Sequence, residues 1–166
     1  ATSSLNDFAE TLDWAFRLVV LIAIPSALAL IVMAEPLLIA LFHNDKFTVA
    51  DVASSAGSLK AYAIGLIAFM SIKIFAPGYF ARQNTSTPVK IGIVAMVSNM
   101  VMNLLFFIGG LGHVGLALAT SLAAFLNAGL LLRGLMVDGV FKFQPGWGGF
   151  LPQVMFANAL MVYFLM

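Results

Sequence analysis

Lys73 sits in the stretch Ala-Phe-Met-Ser-Ile-Lys-Ile-Phe-Ala, about two turns before a long apolar run ends. An ionised side chain at the middle of a bilayer costs about 2.5–3.5 kcal/mol on insertion scales, so its presence asks for a reason. Two are open. The four-carbon stem lets the ammonium snorkel to the headgroups, or the ammonium faces a wet cavity and binds an anion. A lysine needed only as an anchor would sit in the last turn, where Arg82 already stands. Asn99 and Asn103 are four residues apart and share one helix face. With Thr120 or Ser121 from the next run they could form interhelical hydrogen bonds, worth about 0.6 kcal/mol on average. Alternatively, they could make an oxygen-rich cation site, although no carboxylate lies nearby in sequence. Pro77 frees the carbonyl around Lys73, so Pro77-Gly78 reads as a kink or a hinge, and so does Pro25 in the first run. Arg17 and Arg133 stand at run ends, where interfacial anchoring is the simple reading, and Glu35 reads the same way.

Other chemistry finds little support. The two histidines, His43 and His113, lie 70 positions apart and make no metal or catalytic pair. No nucleophile–base pattern, glycine-rich phosphate loop or paired carboxylates appear, so neither an enzyme nor a resident cofactor is expected. There are no cysteines, which excludes disulfides and thiolate metal sites. A net charge of +1 argues against a nucleic-acid surface.

The elements that carry these residues are apolar and long. The chain is 62% hydrophobic and 9% charged, with mean hydropathy +1.05, where a soluble domain carries about 25% charged residues. A bilayer core needs about 20 mostly apolar residues per helical crossing. Five such runs occur, at about 16–42, 59–80, 89–108, 114–135 and 150–166. They are too long, and alternate too little, for barrel strands. The reading is an all-α polytopic transmembrane bundle. Before the first run, 5–14 reads as an amphipathic helix with Asp7, Glu10 and Asp13 on its wet face and Leu5, Phe8 and Leu12 opposite. His43 to Ser58 reads as a loop or surface helix, Gly109 to His113 as a tight turn, and Pro88 as a helix start. Gly115, Ala119, Ala123, Ala124 and Gly129 are suited to close helix packing.

Arg17, Arg82, Lys90, Arg133 and Lys142 fall at one end of the threaded runs, and Lys46 and Lys60 at the other. That bias places the first end, and the N-terminal flank, in the cytoplasm. The chain starts without Met and stops inside an apolar run, which reads as a piece of a longer membrane protein.

The segment Ala76-Pro-Gly-Tyr-Phe-Ala-Arg-Gln-Asn-Thr-Ser-Thr-Pro-Val-Lys-Ile91 resembles the APGFYSRQDxxTPVKI stretch of the lipid II flippases of the MurJ/MviN family, within the multidrug/oligosaccharidyl-lipid/polysaccharide exporter superfamily. Leu12-Asp-Trp-Ala-Phe-Arg-Leu18, Leu41-Phe-His-Asn-Asp-Lys-Phe-Thr48, Met102-Asn-Leu-Leu105 and Gln144-Pro-Gly-Trp147 agree with it. The resemblance implies helices nine to twelve and the start of thirteen of a fourteen-helix, two-lobe transporter. Its cargo would be the undecaprenyl-diphosphate-linked peptidoglycan precursor, moved across the bacterial inner membrane by alternating access. Membrane lipids, that precursor and the remaining lobe would be the partners, and a monovalent cation could couple transport. Lys73 and Arg82 match basic positions of the family, and with Arg17 they are the candidate substrate-binding residues. Asn99, Asn103 and Thr120 fall near a sodium site known in one member, with Asn103 in place of an acidic ligand. An exporter of O-antigen or exopolysaccharide repeats, and a non-transporting helix scaffold, are the alternatives.

Overall fold

The computed structural model describes residues 2–42 and 49–165, with side chains from 6 and from 51 onward in the two segments. His43, Lys46 and the rest of 43–48 lie outside the described residues. Five α-helices follow one another: α1 (Thr2–Phe42), α2 (Val49–Phe80), α3 (Ser86–Ile108), α4 (Gly112–Val137) and α5 (Trp147–Leu165). All five are long and apolar enough to cross a membrane, and no strand occurs among the described residues. The fold is an all-α multi-pass membrane bundle.

The helices run longer than the apolar spans. The amphipathic 5–14 stretch and the first span form one helix of 41 residues that passes through Pro25 and Pro36. Positions 49–58, polar in sequence, are the first turns of α2. Both extensions follow from cooperativity: once a helix is nucleated by its apolar part, each added residue gains a backbone bond.

Helix ends are set by local chemistry. Gly110 (φ 77°) and Gly139 (φ 69°) take the left-handed conformation just past α3 and α4. There the Leu111 N–H reaches the Phe106 carbonyl and the Val140 N–H the Leu135 carbonyl, the Schellman closure. α2 ends the same way, with Asn84 N–H on the Tyr79 carbonyl, but its left-handed residue is Gln83 (φ 58°). The Asn84 side chain then accepts from the Thr87 N–H at 3.2 Å and opens α3.

α2 is the hub. It packs along α4 and α1, touches α3 only slightly, and leaves α5 to contact α1 alone. Ala117, Ser121, Ala124, Ala128, Leu131 and Leu135 are buried at three- and four-residue steps along α4 and form its α2-facing stripe. Where the stripe is small the helices close up. A Cβ on Gly65 would lie 2.8 Å from Ser121 Cβ and 2.9 Å from a Phe69 ring carbon, and Ser121 donates to the Ala61 carbonyl at 2.7 Å. Where the stripe becomes leucine, the gap fills with Phe75, Tyr79 and Phe141 around Leu12. Gly134, inside α4, gives room to the Tyr79 hydroxyl, which donates to the Leu131 carbonyl at 2.9 Å. Gly129, by contrast, is exposed with nothing within 4 Å, so it serves no packing inside this bundle.

One sequence expectation is reversed. Asp13 is buried, 2% exposed, rather than on a wet face. It accepts from Arg17 Nε at 2.9 Å and Trp147 Nε1 at 2.8 Å, with the Gln144 N–H at 3.4 Å. Arg17 is one turn along α1, but Gln144 in the α4–α5 connector and Trp147 at the start of α5 lie more than 130 positions away, so the periodicity around Asp13 could not reveal them.

Candidate functional site

The fold puts most of the basic residues it describes toward one end. There Arg17 meets the α4–α5 connector, and Arg82 Nη1 lies 3.4 Å from Asp138 Oδ2, both about 40% exposed. At the opposite end Lys60 pairs with Glu35 at 2.8 Å, and Gly57 abuts Val114.

Arg17 is occupied. Besides Asp13, it donates to the Gln144 and Pro145 carbonyls, each at 3.1 Å, and lies 5.3 Å from the Trp147 ring centre. Its work in this structure is to pin the connector to α1. Arg82 keeps a long, solvent-accessible ion pair, the kind worth about 0–1 kcal/mol, so its guanidinium is cheaply released to another anion.

Lys73 is exposed and makes no ion pair or hydrogen bond among the described residues. It stands seven residues before the end of α2, about 10 Å in at 1.5 Å per residue. Four positions back on the same face is Phe69, which lines a cleft between α2, α3 and α4 of about 340 Å³. Asn99 from α3 and Thr120 and Asn127 from α4 share that cleft. The Oδ1 atoms of Asn99, Asn103 and Asn127 are buried and accept no hydrogen bond, while the Thr120 hydroxyl donates to its own helix at Leu116. Asn99 and Thr120 therefore come together as their spacing suggests. Asn103 lies one turn further along α3, outside the cleft's lining, and Ser121 turns away to α2. Asn127, two turns after Thr120 on the same face of α4, is a member of this group that was not singled out from sequence.

The amide oxygens of Asn99 and Asn127 in the cleft are hard donors of the kind cations take. No carboxylate lines it. Among the described residues no cluster of His, Cys, Asp or Glu could hold a metal. Of the hinge candidates, Pro77 and Pro25 lie within continuous helices, and Gly78 packs against Leu12 and Leu135.

Residues 2–166 match the family described as MurJ, lipid II flippase MurJ. The chain belongs to the lipid II flippase MurJ family. Its relatives include a probable lipid II flippase MurJ of Vibrio cholerae, 47% identical over 94% of this chain and 30% of the relative. A Haemophilus influenzae relative of the same description is 45% identical over 97% of this chain and 31% of its own length. A solved structure titled lipid II flippase MurJ, inward closed conformation, superposes with a TM-score of 0.79 at 26% identity, over 96% of this chain and 32% of that one. The chain thus spans about a third of the length of the MurJ proteins it matches.

Proposed function

We propose that this chain is part of the second lobe of a lipid II flippase, carrying the undecaprenyl-diphosphate-linked peptidoglycan precursor across the bacterial inner membrane by alternating access. The reading is of a transporter, which moves its cargo without altering it. Family membership supports it, and one observation in the geometry carries it: the exposed Lys73 ammonium, unpaired among the described residues, one turn along α2 from Phe69 at the cleft that holds Asn99, Thr120 and Asn127. A diphosphate headgroup brings about two negative charges into a low-dielectric layer, and cations in a wet cavity replace the water it leaves. Lys73 meets the anion from α2. Arg82, held only by an exposed ion pair, meets it at the basic end. The distribution of Arg17, Arg82, Lys90, Arg133 and Lys142 supports placing that end, with the N-terminal flank, in the cytoplasm. The neutral oxygens of Asn99, Thr120 and Asn127, which share the cleft, are the seat we assign to a coupling cation, with Asn103 one turn away along α3. Such an ion would supply the charge compensation that links its gradient to the conformational cycle.

The test is transport by the full-length protein in vesicles. Lys73→Ala is expected to reduce flipping about tenfold, one unit charge at partly screened distance, and Lys73→Arg to retain most of it. Normal transport by both variants would leave Lys73 as a membrane anchor only. Transport of an O-antigen repeat in place of the peptidoglycan precursor would move the chain to the neighbouring exporter class.

A further inference from the structure

At the end opposite the basic loops, the first turns of α2 and the start of α4 enclose a cup of about 320 Å³ lined by Ser54, Ser55, Ser58, Leu59, Tyr62 and His113. Ligand pockets run from about 300 to 1,000 Å³, so this one suits a single small ring. Its chemistry is that of three hydroxyls, an imidazole, a phenol ring and one aliphatic side chain, with no carboxylate, ammonium or guanidinium among them. Ser58 donates to the Ser54 carbonyl at 3.3 Å, which leaves its oxygen lone pairs free. The side chains of Ser54, Ser55 and His113 make no hydrogen bond among the described residues. Tyr62 is large and 45% exposed. The cup's walls are fixed, because Gly57 lets Val114 close against α2, where a Cβ would sit 2.9 Å from a Val114 methyl. That contact holds His113 beside the serines.

We propose that this cup is a carbohydrate-binding subsite. A sugar ring offers one apolar face for an aromatic side chain and a rim of hydroxyls that both donate and accept. Tyr62 supplies the first partner, and the serines and His113 the second. A carboxylate or phosphate ligand would call for Arg or Lys, and none lines the cup. Ser55, Ser58, Tyr62, Phe69 and Lys73 follow one another at helical steps on a single face of α2. The cup and the cation therefore mark two stations on one line, about 16 Å apart, more than a single sugar–phosphate linkage spans. In naming a sugar of the cargo as the occupant, the proposal rests on the transport reading. In naming a neutral hydroxylated ring, it rests on the lining.

The experiment uses the full-length protein in lipid nanodiscs, N-acetylglucosamine as probe, and saturation-transfer NMR as readout. Transfer to the sugar's ring protons is expected. It falls about fivefold in Tyr62→Ala and in His113→Ala, and stays within about twofold in Tyr62→Phe, which keeps the ring. Tyr163→Ala, on the exposed end of α5, leaves it unchanged. No transfer to the wild-type protein, or equal transfer in Tyr62→Ala, overturns the proposal. The readout does not involve transport. A protein that binds the sugar but moves no lipid-linked precursor keeps the cup and removes the transport reading, whereas the reverse result removes the cup alone.

Discussion

α4 turns one face to α2 and another to α3, and the two are built differently. Toward α2, small residues bring the backbones together, Ser121 donates across the gap, and leucines meet the Phe75–Tyr79–Phe141 cluster. Toward α3, Thr120 and Asn127 border a cleft, and three amide oxygens on the pair lack partners. The share of each helix's most apolar stretch that is buried follows suit, 44% for α4 against 6% for α3. Between helices in lipid there is no hydrophobic gain, so contact energy comes from close packing and internal hydrogen bonds. The α2–α4 face uses both. On the α3–α4 face, each orphaned oxygen costs about 1–3 kcal/mol with nothing in the bundle to offset it. The comparison separates a closely packed face from a looser, more polar one.

Overpacking is the largest way to break the first face. Gly65→Val would drive a branched side chain into Ser121 and Phe69 and should cost about 1–3 kcal/mol, read as a drop in the unfolding midpoint of the purified protein in mild detergent. Gly92→Ala, on the cleft side with nothing within 4 Å, should stay within about 0.5 kcal/mol of wild type. Equal losses from the two would mean that α3 and α2 pack alike against α4.

Asn127→Leu probes the other face in the opposite direction. Replacing a buried, unpaired amide by an apolar side chain of similar size removes a desolvation penalty, so the variant should be more stable by about 1 kcal/mol while the full-length protein transports more slowly. A variant that is less stable, in a buffer free of sodium, would show that the Asn127 oxygen already has a partner.

How far these faces were legible in sequence depended on the distance between partners. The five spans and the Gly109-Gly110 turn follow from composition and helical period, which are local, and the period put Asn99 and Thr120 on faces that could meet. The setting of Asp13 did not follow: three charges spaced along an amphipathic stretch read as a wet face, and only Gln144 from the far connector and Trp147 at the start of α5 cover it. The partners of Arg17 were equally out of reach of a local reading, since the Gln144 and Pro145 carbonyls come from the α4–α5 connector. Gly134 and Gly129 show the same limit. The two look alike in sequence, yet one makes room for the Tyr79 hydroxyl and the other borders open space. The serine cup was missed because Ser54, Ser55 and Ser58 read as connector polarity, and His113 reached them only through packing.

The smallest effect is the most discriminating. Ser121→Ala removes the bond to the Ala61 carbonyl and should cost about 0.6 kcal/mol, the average for a side-chain hydrogen bond between membrane helices. Thr120→Ala, one residue away, removes a hydroxyl bonded only to its own helix and should cost less. The two positions then part company in a double-mutant cycle with Gly65→Ala. The added methyl is closest to Ser121 Oγ, at 2.5 Å, so Ser121→Ala should relieve part of its penalty, a coupling of about 0.5 kcal/mol or more. Thr120→Ala should leave that penalty unchanged. If both positions couple to Gly65 equally, the division of α4 into a closed face and an open one fails, because strain at Gly65 would then spread across the helix instead of stopping at its neighbour.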